Sequence, residues 1–311
     1  MLFRLLLLGL LACIVLGVKS AAAQPTSSSD VRDALRDSIQ AVLAHHPEAT
    51  VAVAVRDPQT DPASSAGQAV RLDLNADRPF HAASTMKVPV MIEVFRQAKA
   101  GRFAMDDSLA VENAFRSIVD GSPYQIEDDS DDAIYERLGQ NMAIGDLVYQ
   151  MITVSSNLAT NLLIQHVAAD SVQRTIEALG TDSMRVLRGV EDIKAFRQGL
   201  SNTATAADLA LVLEAIMEGR AVSPEADSEM VQILLDQRFN TMIPAGLPEG
   251  ARAAHKTGWI TGIHHDAAIV YPEGGAPYVL VVLTEGIEGE DVSAALGAEI
   301  ARLTHAALRT P

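Results

Sequence analysis

The sequence predicts an α/β protein, α+β in layout: an antiparallel sheet built from both termini and flanked by helices, with an all-helical subdomain inserted between the two sets of strands. Three observations predict it. Strand-like patterning occurs near both ends of the chain, helical periodicity fills the middle, and no Pro/Gly/Ser tract long enough to be a linker follows Ser27–Ser29. Any cleft would lie between sheet and helices. The 311 residues, 48% hydrophobic and 21% charged, can bury a sizeable core, which excludes a disordered or fibrous chain.

In chain order, Asp30 can cap a helix running to about His46, because Val31, Leu35, Ile39, Val42 and Leu43 recur at the spacing of one buried face. Thr50–Val55 and Ala69–Leu74 alternate or run β-branched, as a hairpin-like pair of strands does. Helical periodicity then holds from about Thr85 to about Ile216. Strand character returns at Ala251–Lys256, Ile263–Tyr271 and Tyr278–Thr284, and a last helix is expected from about Val292 to Leu308. One domain over 24–311 follows, with an α/β part at about 30–82 and 220–311 and a helical part at about 83–219.

The first 23 residues are of a different kind. Arg4 precedes an apolar run from Leu5 to Val18, then Lys19, Ser20 and Ala21-Ala22-Ala23 before Gln24, the pattern of a signal peptide cut near Ala23. The run is shorter than the roughly 18 residues of a membrane-spanning helix, so no membrane span is expected and the mature protein would be periplasmic or extracellular. Leu10-Leu11-Ala12-Cys13 loosely resembles a lipid-attachment box, but cutting there would leave the apolar Ile14–Val18 on the mature chain. Cys13 is the only cysteine, so the mature chain would have no disulfide and no thiolate metal site.

Charge narrows the partners. The chain holds 24 Lys+Arg against 40 Asp+Glu, a net charge of −16, and loss of residues 1–23 removes only the basic Arg4 and Lys19. Such a surface repels nucleic acid and anionic lipid.

Three stretches can carry chemistry. Ser84-Thr-Met-Lys87 sits at an expected helix start, so hydroxyl and amine project from one face within reach of each other. A serine needs a base to become a nucleophile, and a partly desolvated lysine near other cations can serve, although an ordinary capped amphipathic helix would show the same spacing. Val154-Ser155-Ser156-Asn157 falls between helical stretches at Ile144–Ile152 and Leu158–Val167, where Ser155 and Asn157 can face a cleft or merely cap a helix. Lys256-Thr257-Gly258-Trp259 lies at the end of an expected strand: a cation and a hydroxyl for an anionic group, and a glycine that lets a ligand approach the backbone. Each is weak alone. The three in this order, each in its structural context, are not.

With these motifs the chain resembles the class A β-lactamase and penicillin-binding-protein superfamily over essentially everything beyond Ser29, most of all the secreted class A-like serine hydrolases. The resemblance implies an enzyme acting on a β-lactam or peptidoglycan-like small molecule, without metal or other cofactor, and a monomer. Ser84 would be the acylated nucleophile, Lys87 the group that takes its proton, and Ser155 the shuttle to the leaving nitrogen. Asn157 would contact the substrate's side-chain amide, Lys256 and Thr257 would hold its carboxylate, and the backbone N–H groups of Ser84 and Trp259 would form the oxyanion hole. Glu191, within Leu187-Arg188-Gly189-Val190-Glu191-Asp192, would activate the water that hydrolyses the acyl-enzyme; a Glu-Asp pair opening a surface helix is the plainer alternative.

The sequence departs from the family at three points. Ser156 stands where an aspartate is usual, Ala195 where an asparagine helps hold the hydrolytic water, and Asn202 where an aspartate pairs with the arginine corresponding to Arg188. The resemblance therefore implies a charge–amide contact between Arg188 and Asn202, a more mobile loop, and deacylation as the least supported step. Slow release would make the protein a penicillin-binding protein, a D-Ala-D-Ala carboxypeptidase or an esterase-like hydrolase. Loss of the chemistry would leave an exported binding protein.

Two clusters point elsewhere. Glu127-Asp-Asp-Ser-Asp-Asp132 reads as an inserted, solvated acidic loop; it lacks the glycine and the distant glutamate of a calcium loop. His264-His265-Asp266 has no zinc-ligand spacing with the other histidines, and its two imidazoles would point to opposite faces of a strand, one of them lining the cleft edge. Trp259, the only tryptophan, could cover a substrate ring or the sheet edge.

Overall fold

The computed structural model describes residues 27–58 and 69–309; the leader at 1–23 and Cys13 lie outside them. Helix α1 (Ser28–Leu43) is followed by strands β1 (Thr50–Asp57) and β2 (Val70–Leu74) and by helix α2 (Lys87–Lys99). Helices α3 (Ile144–Thr153), α4 (Asn157–Val167), α5 (Ala169–Leu179), α6 (Ala206–Met217) and α7 (Pro224–Leu235) precede strands β3 (Arg252–Ile260), β4 (Ile263–Tyr271) and β5 (Tyr278–Glu285) and the final helix α8 (Glu290–Arg309). The five strands form one antiparallel sheet in the order β2-β1-β5-β4-β3, so the first and last thirds of the chain do share a sheet.

Alternation along β1 explains why both faces are covered. Val51, Val53 and Val55 point into a core with Leu35 and Ile39 of α1 and Leu296 and Ile300 of α8. The intervening Ala52 and Ala54 face the other core, which they share with Ala206, Leu209, Ala210 and Leu213 of α6; short side chains on both surfaces let helix and sheet approach closely. That second core runs on through α2, α3 and α4, welding the helices to the sheet.

Several boundaries differ from the sequence reading. Helix α1 is capped by Ser27, whose hydroxyl accepts from Asp30 N, and ends at Leu43 rather than His46. The region between the strand groups also carries three short ribbons, 80–81 with 203–204, 108–110 with 141–143 and 115–116 with 123–124. Strand β3 does not stop at Lys256 but runs to Ile260, so the Lys256–Trp259 stretch lies inside the strand. Its glycine is no terminator: a Cβ on Gly258 would lie 3.0 Å from Ser84 N and 3.2 Å from Thr85 N, so the absence of a side chain lets β3 pass against the turn that carries Ser84.

Candidate active site

Ser84 sits in a single 3-10 turn, Ala83–Met86, that runs into α2 at Lys87. The turn is entered through Ala83 at φ +45°, a left-handed conformation that an L residue holds only when its surroundings enforce it. Ser155 and Glu191 have the same peculiarity, each at φ +59°. Strained backbone thus marks three of the four segments that bear candidate groups; the fourth, Lys256–Trp259, is regular strand.

Ser155 is where the segments meet. Lys87 Nζ donates to Ser155 O at 2.6 Å, to Ser155 Oγ at 3.1 Å and to Asn157 Oδ1 at 2.9 Å. Lys256 Nζ donates to the same Ser155 Oγ at 3.0 Å and to Thr257 O at 2.9 Å. Both lysines are fully buried. Burial pushes Lys87 down to about 7, against the pull of Asp129 and Glu191, and pushes Lys256 well below the usual amine range, helped by the positive charge of Lys87. An ammonium has three protons to give, and Lys87 spends all three on Ser155 and Asn157. The Ser84 hydroxyl makes no hydrogen bond among the described residues, so Ser84 and Lys87 are linked by the turn and not by a direct bond.

Glu191 is half-buried, not a surface residue. Its Oε2 accepts N–H bonds from Glu127 at 2.8 Å and Asp128 at 3.4 Å, and its Oε1 accepts from Asn157 Nδ2 at 3.0 Å. Burial raises its proton affinity and these three donors oppose the rise. Asn157 therefore bridges Lys87 and Glu191, its carbonyl on the amine and its amide on the carboxylate. The neighbouring Asp192 does cap a short helix, Ile193–Arg197, through Ala195 N.

The loop is not closed as the family pattern implies. Arg188 donates to Leu200 O and Gly189 O, whereas Asn202 grips the backbone: its Oδ1 accepts from Leu187 N and Arg188 N, and its Nδ2 donates to Arg188 O. An amide offers both donor and acceptor, so it holds both sides of the chain where a carboxylate could hold only one. Asn161 grips Val190 in the same two-sided way, and a Cβ on Gly189 would lie 2.3 Å from Asn161 Oδ1. In place of the expected charge–amide contact, Asn202 bonds the backbone of Arg188, and these ties hold the loop along its length.

A cleft of about 390 Å³ opens in front of these groups, lined by Ser84, Ser155, Asn157, Thr257 and Trp259. Trp259 is 54% exposed. Of the two histidines, His264 lines the cleft and bonds Ser293 Oγ at 2.9 Å, while His265 turns inward, donating to His81 O and accepting from Thr284 N. Among the described residues no group of three or more His, Cys, Asp or Glu is placed to hold a metal ion.

The acidic segment corrects the sequence reading. Asp128, Asp129 and Ser130 line the cleft, Asp131 is 6% exposed, and the Asp129 carboxylate accepts from the backbone N–H groups of Asn157 and Leu158 at 2.8 Å each. The segment is a wall of the site: Asp129 and Asp131 are drawn in from solvent, while Glu127, Asp128, Ser130 and Asp132 stay exposed. Sequence reasoning also missed Arg238, Phe239, Asn240 and Thr241 on the opposite wall, for which no local pattern exists. Asn240 is held by His255 Nε2 at 3.0 Å, and His255 Nδ1 in turn lies 2.8 Å from Asp266 Oδ1; only the burial of His255 beside Lys256 hints at this.

Known proteins resemble this chain over most of its length. Residues 34–308 match the family described as the beta-lactamase enzyme family. A beta-lactamase of Rhodobacter capsulatus is 26% identical over 217 residues, 69% of this chain and 70% of that protein. The crystal structure of a beta-lactamase from Sphaerobacter thermophilus superposes with a TM-score of 0.74 at 29% identity, covering 90% of this chain and 98% of the other. PBP-A, as an L158E mutant in an acyl-enzyme complex with penicillin G, superposes with a TM-score of 0.76 at 25% identity, over 90% and 97% of the two chains. With nearly the whole described chain matched, ordered motifs and fold lead to one conclusion: this chain belongs to the beta-lactamase enzyme family.

Proposed function

We propose that the protein is a serine β-lactamase of the class A kind, which opens the β-lactam amide through an acyl-enzyme on Ser84. The observation that carries this reading is the convergence of two buried amines, Lys87 and Lys256, on Ser155 Oγ beside the Ser84 turn. In this reading Lys87, neutral in part near pH 7, accepts the Ser84 proton as Oγ attacks the amide carbonyl. The C–N bond breaks, and the nitrogen receives a proton from Ser155, which Lys87 replenishes. The N–H groups of Ser84 and Trp259 hold the oxyanion, each contributing about 10²–10³ in rate.

Substrate binding falls to the cleft walls. Thr257 on the wall and Lys256 behind it take the carboxylate, Asn157 takes the side-chain amide, and Gly258 lets β3 lie against the Ser84 turn. Glu191, its proton affinity raised by burial, removes a proton from the water that cleaves the ester. No cofactor enters these steps.

A second reading, acylation with slow release as in a penicillin-binding protein, a D-Ala-D-Ala carboxypeptidase or an esterase-like hydrolase, draws on one observation: both Glu191 oxygens are already occupied by three donors. Mixing the mature protein with a chromogenic cephalosporin, beside Ser84→Ala, separates the two. Sustained turnover lost in Ser84→Ala supports the lactamase; a single stoichiometric burst supports slow release; the absence of both overturns the assignment. Export of the protein and a monomeric state belong to the same proposal, and cell fractionation and light scattering test them. No helix among the described residues is long and apolar enough to cross a membrane.

A further inference from the structure

Helix α4 begins at Asn157, and the first N–H groups of any helix have no partner within it. Here they are closed from two sources. Ser156 Oγ accepts from Ala159 N at 3.2 Å, the usual local cap. The two donors before it, Asn157 N and Leu158 N, go to Oδ1 and Oδ2 of Asp129, each at 2.8 Å, from a residue 28 positions upstream of Asn157. Tyr135 donates its hydroxyl to Asp129 Oδ2 at 3.1 Å and so aims the carboxylate. The carboxylate gives each of these N–H groups an oxygen of its own.

The same short stretch holds the turn from its other side. Ser130 Oγ donates to Val154 O at 2.6 Å and Ser155 O at 3.3 Å, and Asp128 O accepts from Asn157 Nδ2 at 2.9 Å. What is being held is strained, since Ser155 sits at φ +59° and cannot be expected to keep that shape unaided. It is also the turn whose carbonyl, hydroxyl and amide receive all three bonds from Lys87.

We propose that Asp129 is a positioning residue: its carboxylate locks the Ser155–Asn157 turn in the form that receives the Lys87 amine. The proposal rests on the acylation reading above and names what holds its proton-transfer groups in register. Three charged groups act on the Lys87 amine: Asp129 and Glu191 favour its protonated form, and the Lys256 amine lies on the same Ser155 hydroxyl. Around Asp129 itself stand Tyr135, Asp131 and Lys87. Asp132, in the same segment but exposed, has no part in the contact.

The test compares Asp129→Asn with Asp132→Asn, which removes the same charge from the same segment. Selective ¹³C labelling of lysine follows the Lys87 titration, amide exchange follows Asn157 and Leu158, and mass spectrometry times the acylation of Ser84 by a penicillin. In Asp129→Asn the Lys87 midpoint and the acid limb of acylation move down by about one pH unit. Acylation slows about tenfold or more, and exchange at Asn157 and Leu158 accelerates. Asp132→Asn matches wild type in all three. A folded Asp129→Asn protein with the wild-type Lys87 midpoint overturns the proposal, because a merely structural cap would lower the melting temperature and leave that midpoint in place. If Asp129→Asn does not fold, Tyr135→Phe, which removes only the donor aiming the carboxylate, must show the same shifts in smaller measure or the proposal fails. If wild type forms no acyl-enzyme, the acylation reading falls, while lysine titration and amide exchange still decide the role of Asp129.

Discussion

The amines of Lys87 and Lys256 meet on one oxygen atom, Ser155 Oγ, at 3.1 and 3.0 Å. Two ammonium ions that close, both cut off from water, repel each other, so at least one is neutral at working pH. The site thereby holds a free amine lone pair.

Acylation should follow that lone pair. With Lys87 at about 7, kcat/KM for a penicillin rises through an acid limb centred near pH 7 and then levels off. Lys87→Met should lower acylation by about 10²–10⁴-fold. It should also stabilise the fold. A buried lysine whose proton affinity is depressed costs stability in full below its folded midpoint, and because the unfolded chain binds the proton more tightly the cost fades between the two midpoints, so stability rises with pH from about 7 toward 10.5. Replacing it with an apolar chain removes that slope and adds about 1–4 kcal/mol at neutral pH. Urea melts at pH 7 and pH 9 check both statements; a Lys87→Met protein less stable than wild type would contradict them.

Glu191→Gln keeps the acceptor for one set of donors but removes the base. Deacylation should drop by about 10²–10⁴-fold while the initial burst keeps its rate, and the acyl-enzyme should persist in a mass spectrum. Unchanged steady-state turnover would remove Glu191 from the mechanism.

Gly258→Ala tests the approach of β3 to the Ser84 turn. The new methyl would sit 3.0 Å from Ser84 N, with backbone and not a flexible side chain in its way. We expect a loss of about 1–3 kcal/mol in stability and a larger loss in acylation than in substrate affinity, measured as burst rate against concentration.

Acid should unfold the protein partly through His265. Burial holds its imidazole down to about 4, and Thr284 N donates to its Nδ1, which requires that nitrogen to be unprotonated. The unfolded chain gains that proton near 6.5, so stability falls progressively as pH drops from about 6.5 to 4. His265→Gln should flatten this part of the stability curve in thermal melts; an unchanged slope would assign it to other groups.

How much of this was legible beforehand follows from the range of the interactions. Ser84 with Lys87 and Ser155 with Asn157 were readable because each pair shares a turn, and β4 was readable because Ala267–Val270 is a continuous apolar run. Asp129 was not. A run of acids looks solvated, and nothing local reveals that one of them caps a helix starting at Asn157. Strand β3 was cut short for a related reason: glycine weakens a strand by itself, and only the passing Ser84 turn explains its presence there. The Asn202 grip on Arg188 was misjudged because a charge was matched with an amide, when the amide's partner is the main chain.

The lone indole of the chain has a practical use. Because Trp259 stands half in solvent at the rim of the cleft and no second tryptophan contributes background, its emission should report directly on occupancy. Ligand arrival, ester formation and product departure could then be followed in stopped flow on the native protein, without a dye or a coloured substrate.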